Sequence, residues 1–276
     1  MPVTRHAEAV AVLADARYVP PPVRADGAEG TLAWLRARVS RFSTGQEHAE
    51  RRRLLVALLD EVDPAGLRQA ARAMTRERDG NWRGVPVAVL GAALGVEETA
   101  AVPAAVPAAA AGYLSGEESP QADAAVAELL GQADLPVITL LLQAHTATEA
   151  LIENALTHTR ATADGLIGNV LAGAAANGLA GDAPGWDGDV EALLHETLRH
   201  DPPLKATRRL DTRTGDEVTI DLVAVNRDPD VFPDPERFDL ARGRAPYLTF
   251  GSGVRPCPAP HHALALAAGV LEGLLR

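Results

Sequence analysis

Between positions 134 and 159, the stretch DLPVITLLLQAHTATEALIENALTHT repeats aliphatic residues three and four apart, with Pro136 in its first turn. That spacing predicts a long, central, largely buried helix. Shorter helical patterns run through HAEAVAVLADA (6–16), TGQEHAERRRLLVALLDEV (44–62) and VEALLHETLRH (190–200), the last stopped by Asp201, Pro202 and Pro203. From about Pro260 onward, PHHALALAAGVLEGLL reads as an apolar helix opening with proline. VPPPVRADG (19–27) and the glycine-rich GLAGDAPGWDGD are breaks. The alanine-proline tract AAVPAAVPAAAAG (100–112) is low in complexity yet too apolar for disorder. Strand-like residues come only at EVTIDLVAVN (217–226). The expected fold class is mainly α with a small β-sheet (α+β), in one domain over 1–276 without internal repeats.

Composition narrows this picture. A hydrophobic share of 47% in 276 residues is enough for a large core, and a net charge of −11 argues against nucleic acid as a partner. No charged segment precedes a short apolar one near the start, and no apolar run is long enough to span a bilayer. The sequence therefore reads as a cytoplasmic chain with no membrane contact.

Cys257 is the single cysteine, so it has no partner for an internal disulfide or a cysteine zinc cage. Core filler, nucleophile and single metal ligand stay open as readings. The surrounding YLTFGSGVRPCPAPHH weighs against filler. Gly251 and Gly253 permit positive φ and a close approach of backbone to something flat or bulky. Arg255 and the helix N-terminus beginning near Pro260 both favour a thiolate.

A second cluster precedes the strands. Glu196 and Arg199, three apart in HETLRH, share a helix face, and the proline-rigid NRDPDVFPDPERFDL brings Arg237. An exposed pair of this kind contributes only tenths of a kcal/mol, but a carboxylate between two guanidiniums can pin an irregular chain.

Taken in order, Glu196-x-x-Arg199, Pro235-Glu236-Arg237-Phe238 and Phe250-Gly251-x-Gly253-x-Arg255-x-Cys257 resemble the cytochrome P450s. The resemblance implies a P450-like heme-thiolate fold, shorter than is usual, with Cys257 as axial ligand of heme b iron. It further implies that His48 and Arg52 in GQEHAERRRLL hold one heme propionate and that Arg208 in KATRRLDTRTG contacts the other. Tyr247 stands where bacterial members often place a propionate-binding histidine, and Phe250, Gly251, Gly253 and Arg255 form the cofactor loop. Glu196, Arg199 and Arg237 would knot the proximal side. VTRHAEAVAVLADARYV resembles the early strand and helix of bacterial members.

The departures from that family are equally specific. Relative to it, the first helix and strand, much of 115–134 and most of the chain after the proximal helix are trimmed, which implies a more open heme site. Ala259 replaces a glycine two past the cysteine, and Pro258 and Pro260 have no N–H to offer the sulfur. Along the distal helix, Thr146 replaces the acid of the family's proton relay and Ala147 replaces its first threonine. Thr146, His145 and Thr148 are left to handle protons there. His145 reads either as a second axial ligand or acid-base group, or as a residue facing away from the iron. His261 and His262 read as surface or packing residues. Arg51 and Arg53 read as a solvated face or as a docking point for an acidic electron donor.

The resemblance implies an oxidoreductase acting on a small molecule, tailoring in bacterial secondary metabolism, with atypical oxygen activation. Its partners would be a ferredoxin-type donor or a carrier-protein-bound substrate. Non-oxygenative heme chemistry (dehydration, isomerisation, rearrangement) and a degenerate binding or recruitment module are the alternatives.

Overall fold

The computed structural model describes residues 1–97, 102–174 and 188–275. Its described elements run α1 (His6–Ala14), β1 (Tyr18–Val19), α2 (Leu32–Arg38), a 3-10 turn (Ser40–Phe42), α3 (Gly45–Asp60), α4 (Pro64–Glu77), α5 (Val85–Ala93) and α6 (Val102–Tyr113). They continue with α7 (Pro120–Leu130), α8 (Leu135–Ala174), α9 (Val190–His200), β2 (Ala206–Asp211), β3 (Glu217–Asp221), α10 (Leu222–Val225), a 3-10 turn (Leu240–Arg242) and α11 (Pro260–Leu275).

The helices start where local chemistry lets them. Asp63 accepts from the N–H groups of Ala65 and Gly66 ahead of Pro64, and Ser119 accepts from Ala122 ahead of Pro120. Each cap fills donors that the first turn cannot pair internally. α4 and α11 lie so close that a Cβ on Gly269 would sit 2.3 Å from the Arg68 carbonyl oxygen. Glycine is what allows that contact. Leu67 and Ala71 of α4, Leu266, Val270 and Leu271 of α11, and Ile138, Leu141 and Ile152 of α8 join one large apolar core.

The predicted central helix is present and longer than its aliphatic repeat. α8 covers 40 residues, roughly 60 Å, because the alanine-rich continuation past Thr159 is also compatible with helix. Its Leu135–Thr159 part is long and apolar enough to cross a membrane, and 56% of that segment's most apolar window is buried inside the protein, as expected for a core helix. Other boundaries shift inward: α1 ends at Ala14 and α3 spans Gly45–Asp60. The alanine-proline tract forms α6, with Pro107 inside the helix, apart from residues 100 and 101, which lie outside the described set. Most of GLAGDAPGWDGD also lies outside it.

The expected strand over 217–226 is only half right. β3 stops at Asp221, whose carboxylate accepts from the N–H groups of Val223 and Ala224 and starts the short helix α10. The apolar run LVAV therefore enters a helical turn, because capping decides what alternation leaves ambiguous. The sheet has order β1-β2-β3, antiparallel throughout, with Arg208 opposite Thr219 and Arg209 opposite Val218. It packs with α1 through Val3, Val12, Leu13, Ile220, Leu222 and Leu248.

Candidate functional site

Cys257 lies at the end of a loop held by backbone contacts. Its N–H donates to Phe250 O at 2.7 Å, and Gly251 N–H donates to Leu248 O at 2.8 Å. Gly251 and Gly253 adopt φ of 70° and 67°, as the glycine pattern predicts. The close approach at Gly253 is to the chain itself: an added Cβ would lie 2.3 Å from Leu13 O, at the end of α1. Val254 N–H donates to the same oxygen at 3.1 Å, so α1 clamps the loop from outside.

Among the described residues the sulfur accepts one hydrogen bond, from Ala259 N–H at 3.4 Å, in line with the prolines on either side of Ala259. Burial raises the Cys257 thiol, and the Ala259 N–H, Arg52 and Arg41 offset only part of that rise. Ala259 packs into the small cluster of Leu55, Leu59 and Leu140.

Positive charge gathers beside the cysteine. From α3, Arg52 donates to Pro256 O, and His48 Nδ1–H donates to Ser40 O at 2.9 Å. Arg255 Nη2 donates to Ser43 O at 2.9 Å, with its Nη1 3.4 Å from His48 Nδ1. Burial, with smaller contributions from Arg255 and Arg52, pulls the His48 pKa below its ordinary value despite the Ser40 hydrogen bond. Arg209 is pushed down to about 10, first by burial and then by Arg41 and Arg255. Among the described residues no carboxylate lies within ion-pair distance of Arg41, Arg52, Arg209 or Arg255.

Arg208, expected from the resemblance at a heme propionate, stands on the outer face of β2, its side chain 54% exposed, and pairs with Glu217 at 3.3 Å. Its neighbour Arg209 points the other way, towards Arg41 and Arg255. Adjacent strand residues alternate faces, so a choice between two consecutive arginines turns wholly on register.

The proximal knot forms with one member exchanged. Arg199, fully buried, donates from Nε and Nη2 to Glu196 at 2.8 and 2.6 Å. It also reaches the carbonyls of Pro235 at 2.8 Å and Arg237 at 2.9 Å, fixing the irregular segment. The Arg237 side chain is 69% exposed and stands 3.9 Å from Asp239, so only its carbonyl joins the knot. The second guanidinium is that of Arg242, whose Nε lies 3.5 Å from Glu196 and whose Nη1 donates to Pro233 O at 2.8 Å. Asn226, also unanticipated, ties the knot to the cysteine loop by accepting from Leu248 N–H at 2.7 Å and donating to Thr249 Oγ1 at 2.8 Å. No spacing rule in the sequence singles out either residue.

Tyr247 is placed differently from its expected role as well. Its hydroxyl is 2.8 Å from His195 Nδ1, and burial pushes its pKa up to about 12. Phe250 leans towards Tyr247, ring centroids 6.3 Å apart. His262 bonds Leu59 O and Val62 O at 3.1 and 3.0 Å, joining α11 to α3, while His261 is exposed. Arg51 is held by Ala37 O at 3.1 Å and Glu47 at 3.3 Å, and Arg53 is exposed.

On α8 the three proton-handling candidates do not converge. His145 Nδ1 is 3.3 Å from Glu149. Glu149 in turn accepts from Gly84 N–H at 2.9 Å, at the start of α5, and from Arg83 at 3.4 Å. Its pKa is lowered, because His145, the Gly84 N–H and Arg83 together outweigh the upward effect of burial. Thr148 is buried and Thr146 exposed. At 3.6 residues per turn, His145 and Thr148 are about 60° apart around the helix, with Thr146 on the far side.

Comparison with known proteins coincides with this geometry. The sequence profile described as Cytochrome P450 matches residues 190–259, the segment that holds the knot and Cys257. Over that segment the chain resembles the cytochrome P450s. It is 33% identical over 89 residues to the cyclomarin C epoxidase CymV of Salinispora arenicola and 35% identical over 78 residues to the biotin biosynthesis cytochrome P450 of Bacillus subtilis. Those alignments take in 29% and 25% of this chain but only 22% and 20% of the relatives' own lengths. In fold the likeness is nearly complete on this side. P450BioI, solved with hexadec-9Z-enoic acid ligated acyl carrier protein, matches with TM-score 0.70 at 18% identity, covering 97% of this chain and 82% of that one. CYP154A1 of Streptomyces coelicolor matches with TM-score 0.70 at 20% identity, covering 99% and 82%.

Heme on a cysteine thiolate is the cofactor of this family, and the residues present fit it. Among the described residues, a buried sulfur without a cation of its own stands beside four guanidiniums and an imidazole that have no carboxylate within ion-pair distance. A ligand bringing iron and two carboxylates supplies what each lacks.

Proposed function

We propose that residues 1–276 form one heme-thiolate domain that acts as an oxidoreductase on a small molecule in bacterial secondary metabolism, in the cytoplasm, with an oxygen-activation site unlike that of ordinary family members. The observation that carries this reading is the cluster of Arg41, Arg52, Arg209 and Arg255 beside Cys257, with no carboxylate partner among the described residues. Four half-buried guanidiniums repel one another unless an anion joins them. Cys257 Sγ would bind the iron, while Arg52, Arg209 and Arg255, with His48, would hold the carboxylates. When bound, the heme supplies one-electron and oxygen chemistry.

The chain's own residues then limit what that chemistry can do. A relay on α8 needs a group that gives up a proton at neutral pH. The Thr146 hydroxyl passes protons but does not supply them. His145 is engaged by Glu149, and Glu149 is itself held ionised by His145, the Gly84 N–H and Arg83. Ala147 offers no polar atom. Protons reach a reactant from water or from the substrate, so electron consumption outruns product in oxygen-driven turnover, and peroxide serves better as oxidant. The same lack of a donor favours non-oxygenative heme chemistry as the second reading. A substrate tethered to a carrier protein fits within the proposal, since P450BioI is a neighbour solved with such a partner. Arg53, exposed on α3, is the candidate contact for an acidic ferredoxin-type donor.

The test is the spectrum of the reduced, carbon-monoxide-treated protein. The expected result is a long-wavelength Soret band typical of thiolate ligation, absent in Cys257→Ser. Retention of that band in the variant, or no heme uptake by wild type, overturns the reading.

A further inference from the structure

A cavity of about 200 Å³ lies between α9, the segment leading to the cysteine loop and the first turns of α11. His195, Arg244, Tyr247, Phe250, His261 and Leu264 line it. His195 is 7% exposed, and its Nδ1 is taken by the Tyr247 hydroxyl at 2.8 Å. Its other ring nitrogen, Nε2, is buried with no hydrogen-bond partner among the described residues. A buried polar atom left so is unfavourable, and a ligand that bonds it relieves that cost.

The chemistry of the lining selects the ligand. Burial, then the charge of Arg244, holds His195 below its ordinary pKa, so the ring is neutral. Tyr247 keeps its proton, its pKa being pushed up to about 12, and its hydroxyl lies 2.8 Å from Nδ1. In the tautomer in which that hydroxyl donates to Nδ1, the neutral ring carries its own proton on Nε2, as a donor. Arg244, at the exposed edge, makes no ion pair among the described residues. The start of α11 adds first-turn N–H groups. Nearby negative charge is already engaged: Glu191 pairs with Arg68 at 2.6 Å, and Asp189 caps α9 by accepting from Glu191 N–H at 2.9 Å. The remaining walls, Phe250, Leu264, Ala245 and Pro260, are apolar.

We propose that this cavity is a binding site for a small organic carboxylate, its oxygens on His195 Nε2–H and the Arg244 guanidinium and its short apolar body against Phe250 and Leu264. The site is separate from the distal face of α8 and does not depend on heme. Its occupant touches Phe250, whose carbonyl accepts the Cys257 N–H.

Sodium butyrate, titrated calorimetrically into the purified full chain in chloride buffer of matched ionic strength, is the probe. The expected result is saturable millimolar binding that weakens about tenfold in Arg244→Met and again in His195→Phe, since each variant removes one charged or directional contact. Should His195→Phe fail to fold, Arg244→Met decides alone. Absence of saturable millimolar binding, or unchanged affinity in Arg244→Met, overturns the proposal. So does inorganic phosphate binding as tightly as butyrate, because the apolar walls would then select nothing.

Discussion

Around Cys257, two of the charged side chains are held by backbone groups drawn from distant parts of the chain, whereas on α8 the polar side chains near Thr146 answer to their own helix and to α5. Arg52 and Arg255 reach carbonyls of Pro256 and Ser43, and Arg199 binds carbonyls in the segment that follows the sheet. His145 and Glu149 bind each other and the start of α5. The contrast separates two functions that a heme enzyme normally combines. Holding a heme would depend on positive groups and one sulfur, and groups of both kinds stand together here. Moving protons depends on an acid at one turn of one helix, and there the nearest carboxylate faces elsewhere.

The sharpest way to break this comparison is to loosen the proximal side. Arg199→Met leaves the Glu196 carboxylate buried and strips the carbonyls of Pro235 and Arg237 of their donor. Removing one partner of a buried pair costs about 3–5 kcal/mol. Denaturant unfolding should show that loss, while Arg237→Met, on an exposed side chain, should fall within about 0.5 kcal/mol of wild type. Equal losses in the two variants would return Arg237 to the knot.

The distal side is tested by supplying what it lacks. Thr146→Glu combined with Ala147→Thr restores an acid next to a hydroxyl, and a positioned proton donor is worth roughly 10²–10⁴ in rate. The expectation is a gain of about 10² in product formed per electron consumed with dioxygen, and little change with peroxide. If the double variant couples no better than wild type, proton supply is not what limits turnover.

A smaller effect distinguishes the consecutive arginines of β2. Arg209→Met should weaken heme retention about tenfold in a transfer assay to a heme acceptor, the amount expected for one charge-assisted contact. Arg208→Met, altering an exposed pair with Glu217, should change it less than twofold. The reverse order would mean that β2 presents its other face to the cofactor.

The mildest effect is a pH dependence of the proximal side. His158 stacks on Phe238 with ring centroids 4.0 Å apart, and His200 Nε2–H donates to Glu236 O at 3.0 Å. Both pKa values are lowered, first by burial; for His158 the charges of His200 and Arg227 oppose those of Asp201 and Glu196, and for His200 Arg227 and Arg199 add to the lowering. A depressed histidine pKa means that the unfolded chain takes up the proton first. Stability is then full above the ordinary value of about 6.5 and declines as pH falls below it. Melting temperature should drop between pH 7.5 and 5.5, less steeply in His158→Phe; identical slopes would remove His158 from the cause.

Much of the candidate site was legible in the sequence, and the misses have one cause. Cys257, the positive-φ glycines, the Glu196–Arg199 pair and the His48–Arg52 face come from local spacing on a loop or a single helix. Arg208, Arg237 and Tyr247 were expected at the cofactor or knot; Arg209 is the arginine that feels Arg41 and Arg255, Arg242 is the second guanidinium beside Glu196, and Tyr247 bonds His195. In each case the choice turned on which way a strand or irregular segment faces. Such orientation is set by what packs against the segment and leaves no period in the chain.

The sequence alone determined that this chain is mainly helical, that its longest apolar repeat is a core helix and that one sulfur sits ahead of a helix behind two glycines. Those properties are local: periodicity, proline and glycine geometry and capping act within a turn or two of helix. Tertiary structure decided which of two neighbouring arginines turns inward, that α1 clamps the loop at Gly253, and that His145 stands 3.3 Å from Glu149. Those outcomes depend on groups far apart in sequence competing for the same buried space and the same hydrogen bonds, a competition with no trace in any single stretch of residues.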